Sequence, residues 1–179
     1  TFVMNIKTIL TIGVVVAIGG LLVFARASND VSETTTIDAS DKATYDQAKP
    51  DVMTVYKTEA CGCCLNWVDH LETNGMDVEV VNVASTAPTR EYFGVPPQLL
   101  SCHTGSINGY WVEGHVPADL VQKLITEKPT DIRGISAPGM PMGSPGMEGP
   151  NQVQYDIVAY HDDGSTSVYA TRQGKEAVE

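Results

Sequence analysis

Three of the four cysteines in this chain fall within four residues, Cys61-Gly62-Cys63-Cys64, and the fourth, Cys102, is followed directly by His103. Adjacent cysteines bridge only with strain, so such a cluster is a poor staple for a fold. It suits two other chemistries, holding a soft metal ion and running thiol–disulfide exchange. Cys61 and Cys64 have the Cys-x-x-Cys spacing in which one thiol attacks and the other resolves. The inserted Cys63 has no place in that pair and invites scrambling, whereas three thiolates on one turn can converge on a metal. Zinc is also admissible, because the order Cys-x-Cys-Cys…Cys-His offers four cysteines, or three and a histidine.

The segment Gly139-Met140-Pro141-Met142-Gly143-Ser144-Pro145-Gly146-Met147 favours copper over zinc. Thioethers ligate Cu(I), hardly bind zinc and need no deprotonation. Methionines more often fill cores, but no neighbouring apolar periodicity offers these a face to pack. Met140, Met142 and Met147 are therefore candidate ligands beside the cysteines. His103 is a candidate as well, although consecutive strand residues face opposite ways, which leaves it a ligand or a packing neighbour of Cys102. His70 and His161 read as surface residues, Trp67 and Trp111 as core.

The elements that must position these groups follow from periodicity. Residues 51–58 alternate and read as a strand. Cys64, Trp67, Val68 and Leu71 recur at helical spacing until Asn74-Gly75, and residues 77–83 form a second strand. A short helix over 89–93 ends at Gly94. Asn108-Gly109 between short apolar runs signals a hairpin, and Pro117 opens a helix with Leu120, Val121, Leu124 and Ile125 on one face. Residues 134–150 carry no periodicity and read as a loop. Residues 153–160 and 165–171, around Asp162-Asp163-Gly164, read as a second hairpin. The order implies an α/β fold with a mixed sheet and flanking helices. It looks like the thioredoxin or glutaredoxin arrangement, in which a Cys-x-x-Cys element sits at the N-terminus of the first helix. There, unpaired N–H groups and the helix dipole stabilise a thiolate. Counting back from Asn108 places Cys102 opposite that element. His115, in Glu113-Gly114-His115-Val116-Pro117, precedes the last helix where such folds border the site, and is a further candidate ligand.

The 179 residues suit one domain, 51–133, followed by the Gly/Pro/Met-rich loop and a C-terminal hairpin and tail over 151–179. Lys7, an apolar run from Ile9 to Phe24 and Ala25-Arg26-Ala27 describe a signal peptide or an uncleaved N-terminal membrane anchor over 1–27. Either places the remainder in the periplasm, and the polar stretch 28–50 reads as a flexible linker. Without residues 1–27 the balance is nine basic to 22 acidic, or −13. That charge argues against nucleic acid and anionic lipid as partners.

In combination, several segments resemble a bacterial family of exported CopG-type copper-resistance proteins, over roughly residues 51–172. They are Tyr56-Lys57-Thr58-Glu59-Ala60-Cys61-Gly62-Cys63-Cys64, Trp67-Val68-Asp69-His70-Leu71, Gly94-Val95-Pro96-Pro97 and Ser101-Cys102-His103-Thr104. Glu113-Gly114-His115-Val116-Pro117 and Pro138-Gly139-Met140-Pro141 through Gly146-Met147-Glu148-Gly149 complete the set. The resemblance implies a thioredoxin-like fold and a cysteine-bridged Cu(I) cluster in the cell envelope, with Cys61, Cys63, Cys64 and Cys102 matching the family's cysteines. The expectation is a periplasmic copper-binding protein holding several Cu(I) ions, with copper or thiol redox activity and other periplasmic copper-handling or redox proteins as partners. Three alternatives stand beside it: a thiol–disulfide oxidoreductase using Cys61 and Cys64, a zinc site, and a structural domain with two disulfides.

Overall fold

The structure is a computed structural model that describes Ala43, Tyr45, Asp46, residues 49–174 and residues 176–178. The expected signal or anchor over 1–27, and most of the expected linker, lie outside these residues. No helix among the described residues is long and apolar enough to cross a membrane.

Strand β1 (Val52–Lys57) is followed by helix α1 (Gly62–Thr73), which begins inside the cysteine motif, and by the parallel strand β2 (Asp77–Asn82). Helix α2 (Ala87–Phe93) and a 3-10 turn (Pro97–Leu99) lead to the hairpin of β3 (Thr104–Ile107) and β4 (Tyr110–Glu113). Its turn residues Asn108 and Gly109 have φ of 50° and 87°, the left-handed pair that an Asn-Gly hairpin turn adopts. Helix α3 (Ala118–Glu127) then stops at Lys128, with φ of 51°. Strands β5 (Ile132–Ser136), β6 (Gln154–His161), β7 (Thr166–Gln173) and the short β8 (Glu176–Ala177) complete one sheet of eight strands. Its order is β2-β1-β3-β4-β5-β6-β7-β8. The mixed sheet, its flanking helices and the C-terminal hairpin are as expected.

Alternation along the strands builds a core on each face of the sheet. Trp67, Val68 and Leu71 of α1 and Leu120, Val121 and Leu124 of α3 pack against Met53, Val55, Ile107, Val112, Ile135 and Ile157. Each such side chain contributes about 1.5–3 kcal/mol by leaving water. Intervening residues face the other way, where Trp111 packs with Val95, Leu99, Phe93, Val158 and Tyr160.

Two expectations need correction. The segment 134–150 is not a loop throughout, because Gly134, Ile135 and Ser136 belong to β5 and pair with Trp111, Val112 and Glu113. Gly134 looks like a breaker in sequence, but a Cβ there would overlap the Trp111 ring, so the glycine admits the indole into the sheet. Nor is all of 28–50 linker. Tyr45 is buried against the rings of Tyr56, Tyr92 and Phe93, with its hydroxyl 3.1 Å from Thr89 Oγ1. A lone aromatic in a polar stretch carries no periodicity by which to foresee that contact.

Candidate metal centre

Helix α1 starts at the cysteine motif because Trp67, Val68 and Leu71 need its inner face buried, and that register turns Cys64 inward with them. Cys61 is the N-cap residue and makes no side-chain cap hydrogen bond. The first-turn N–H groups thus keep their positive end toward the sulfurs. Cys61 and Cys64 form a disulfide with Cα atoms 5.4 Å apart, while Cys63 and Cys102 are free thiols. Cys61 Sγ and Cys63 Sγ are 3.6 Å apart. All four sulfurs lie within 4.8 Å of one another, Cys64 buried and the other three half-buried.

Cys102 reaches this cluster from the segment before β3. His103 shares its side of the chain, with Nδ1 3.3 Å from Cys102 Sγ. The alternation expected to separate them does not apply, because pairing in β3 begins only at Thr104. His115 brings Nε2 to 2.9 Å from the same sulfur, so Cys102, His103 and His115 form a second group of ligand atoms within 4.8 Å. His115 Nδ1 lies 2.8 Å from the carbonyl oxygen of Pro145. A carbonyl only accepts, so Nδ1 carries the hydrogen and Nε2 presents its lone pair to Cys102. His103 is fully buried against the Trp67 ring, and its Nε2 has no hydrogen-bond partner among the described residues.

The electrostatics suit a neutral resting site. Burial, and then the neighbouring Cys63, push the Cys102 thiol up to about 12. Burial, and then His115, hold His103 well below the ordinary imidazole value, with Arg90 and Lys57 adding to the effect. Burial lowers His115 too, against the opposing pull of the Pro145 carbonyl. Both imidazoles are therefore neutral at neutral pH, the form that ligates a metal, and Cys102 keeps a proton for an incoming cation to displace.

Two residues unnoticed in the sequence hold the Cys102 segment. Glu113 is fully buried and accepts from Ser101 N at 2.7 Å, Thr104 Oγ1 at 2.6 Å and Arg90 Nε at 3.0 Å. Arg90 in turn donates to the Ser101 carbonyl oxygen. One ion pair thereby fixes both polar groups of the Ser101 backbone, next to Cys102. The clue lay in Tyr110-Trp111-Val112-Glu113, where an acid ends an apolar strand, and such acids are buried only with partners.

The Gly/Pro/Met segment covers the cluster. Gly146 (φ 83°) runs so close to α1 that a Cβ would lie 2.8 Å from both the Cys63 carbonyl oxygen and the Trp67 nitrogen. Pro145 supplies the carbonyl that orients His115. Met140, 55% exposed, lines a 230 Å³ pocket together with Leu100, Ser101, Cys102 and Gly139. Met142 is also exposed, with its methyl beside Gly149, and Met147 is half-buried. His70 is not the plain surface residue expected, since its Nε2 accepts the Ala118 N–H at the start of α3 at 3.1 Å. His161 is only 19% exposed at its side chain and sits between Asp131 and Ser167, remote in sequence from the cysteines. Trp67 and Trp111 are core residues, as expected.

Sulfur and neutral imidazole donors in one half-buried cluster fit a soft metal ion. The chain matches a family model described as a protein of unknown function, DUF411, over residues 99–147. No curated protein matches it. Two solved structures, forms 1 and 2 of a copper resistance protein CopG, are each 42% identical to it with a TM-score of 0.65. Each covers 69% of this chain, and the match spans 99% of form 2 and 98% of form 1. The chain belongs to the CopG copper-resistance family.

Proposed function

We propose that this protein acts in copper resistance by holding Cu(I) in the cell envelope, on Cys61, Cys63, Cys64 and Cys102. The observation that carries this reading is the convergence of four sulfurs within 4.8 Å of one another at a helix N-terminus. Thiolates are soft donors that select Cu(I). A sulfur can bridge two ions, so four thiolates accommodate several Cu(I), whereas a tetrahedral zinc site takes one. The helix dipole offsets part of the negative charge that such a cluster gathers. His103 and His115 lie beside Cys102, where they support its thiolate or complete the coordination of an ion bound there.

Cys61 and Cys64 are joined in this structure, so loading all four sulfurs first requires two electrons and two protons to open that disulfide. Each ligating thiol then gives up its proton. Copper is cargo in this reading, and an envelope location follows from the export segment read at residues 1–27. Anaerobic titration of the dithiol-reduced protein with Cu(I), with metal analysis and zinc competition, tests it. More than one tightly bound Cu(I) per chain, undisplaced by zinc, is expected. A single site that prefers zinc contradicts it.

A second reading is favoured by the redox state of the site, with one disulfide closed and two free thiols beside it. The protein would then exchange disulfides: once an external dithiol has reduced the Cys61–Cys64 bond and been oxidised itself, the Cys61 thiolate attacks a substrate disulfide and Cys64 displaces the mixed disulfide. Fast turnover of a disulfide substrate by metal-free protein, abolished by Cys61→Ser, would support it.

A further inference from the structure

The methionine segment is anchored where it passes Cys102. Gly139 N donates to the Leu100 carbonyl at 2.9 Å, and Ser101 Oγ donates to the Gly139 carbonyl. Those two bonds hold Met140 against the strand entrance, and Ser101 is itself fixed by Glu113 and Arg90. The result is the 230 Å³ pocket of Leu100, Ser101, Cys102, Gly139 and Met140, in which Met140 is exposed and Cys102 half-buried. Packing does not account for a methionine there. At 55% exposure Met140 gains little from burial, and Leu100, at 37%, already supplies the apolar wall. What the position adds is an accessible thioether lining the same pocket as the free thiol Cys102, on backbone anchored one residue before it at Gly139.

We propose that Met140 is the capture ligand of the site. It takes a soft monovalent ion, Cu(I) or its analogue Ag(I), from a donor at the surface and passes it to Cys102 by ligand exchange. A bond from the metal to Cys102 Sγ forms as the bond to Met140 Sδ breaks. The displaced thiol proton leaves by way of His115 Nε2, 2.9 Å from that sulfur. No electron moves in this step. A thioether carries no proton, so capture neither waits on deprotonation nor admits zinc. Cys102 lies outside the Cys61–Cys64 disulfide, so the oxidised protein can still capture one ion at this pocket. This rests on the copper reading above, and its test separates the two.

The full chain is labelled with ¹³C at its methionine methyls and titrated, in its disulfide form, with silver(I) nitrate. The Met140 methyl resonance is expected to move with the first fraction of an equivalent, while those of the core residues Met53 and Met76 stay in place. Silver binding that leaves the Met140 methyl unmoved overturns the proposal. In a second measurement, reduced protein takes Cu(I) from a coloured bicinchoninate complex in a stopped-flow instrument. Met140→Leu keeps the apolar wall and removes the sulfur. It is expected to slow loading by roughly tenfold, the low end of what a supporting residue contributes at a metal site, with unchanged final stoichiometry. Loading at the wild-type rate overturns the capture role and leaves the copper reading standing. A wild-type protein that takes up no Cu(I) overturns both.

Discussion

Replacing Glu113 by alanine should cost far more than the loss of one surface-distant acid suggests. The carboxylate is fully buried and accepts three hydrogen bonds, from Ser101 N, Arg90 Nε and Thr104 Oγ1, at 2.7, 3.0 and 2.6 Å. Its removal leaves the Arg90 guanidinium, only 17% exposed, without a salt-bridge partner among the described residues. Breaking a buried pair from one side costs about 3–5 kcal/mol. Burial holds the Glu113 carboxyl above its ordinary value despite these partners, which means that desolvation already offsets part of the attraction. The low end, about 3 kcal/mol, is therefore expected, and a domain of this size should lose roughly 6–12 °C in Tm. Thermal unfolding followed by circular dichroism measures this directly. Arg90→Ala combined with Glu113→Ala should be milder than the two single effects added, by about 1–3 kcal/mol, because no charge is then stranded. The released Ser101 backbone should also make Cys102 react faster with a thiol reagent. A Glu113→Ala protein within about 1 kcal/mol of wild type, or an additive double variant, would refute the clamp.

Gly146→Ala places a Cβ 2.8 Å from two backbone atoms of α1 at φ 83°, so the loop must lift at a cost of about 1–3 kcal/mol. Cys63 should then be modified faster by a thiol reagent, and an unchanged rate would show that the loop does not shield it. Cys63→Ser should reduce Cu(I) uptake to a single ion or fewer while leaving the Cys61–Cys64 dithiol competent to close. Unchanged stoichiometry removes Cys63 from the site. Burial raises the phenols of Tyr56 and Tyr155 from 10.0 to about 12. A group whose folded value is raised contributes stability in full below its unfolded value and loses it as pH climbs toward the folded one. Stability should therefore fall between pH 10 and 12, with phenolate absorbance rising as the fold is lost. Ordinary phenol titration in protein that remains folded would contradict that.

Much of the frame was legible because it rests on local rules. The α1 face of Trp67, Val68 and Leu71, the Asn108-Gly109 turn and the succession of the first four strands along the chain all follow from periodicity and turn chemistry. The meeting of Cys102 with the motif was legible by likeness to the thioredoxin arrangement, counting back from Asn108, although β3 begins at Thr104 and not at Cys102. What escaped depends on distant partners. Gly134 reads as a loop residue until Trp111 is seen to occupy its side-chain space. Glu113 reads as the end of a strand until Ser101, Thr104 and Arg90 are seen around it. His103 was set apart from Cys102 by a strand rule, and the strand begins one residue later. The state of the cysteines, one bridge and two free thiols, is likewise a matter of distances that spacing does not encode.

The central claim is that the four sulfurs gather several Cu(I) ions into one cluster. X-ray absorption at the copper edge, on reduced protein loaded anaerobically, reports oxidation state, sulfur coordination and copper–copper distance together. A Cu(I) edge, sulfur-dominated scattering and a short copper–copper contact are expected, and the last should vanish in Cys63→Ser. A mononuclear site, or nitrogen and oxygen donors in place of sulfur, would contradict the cluster.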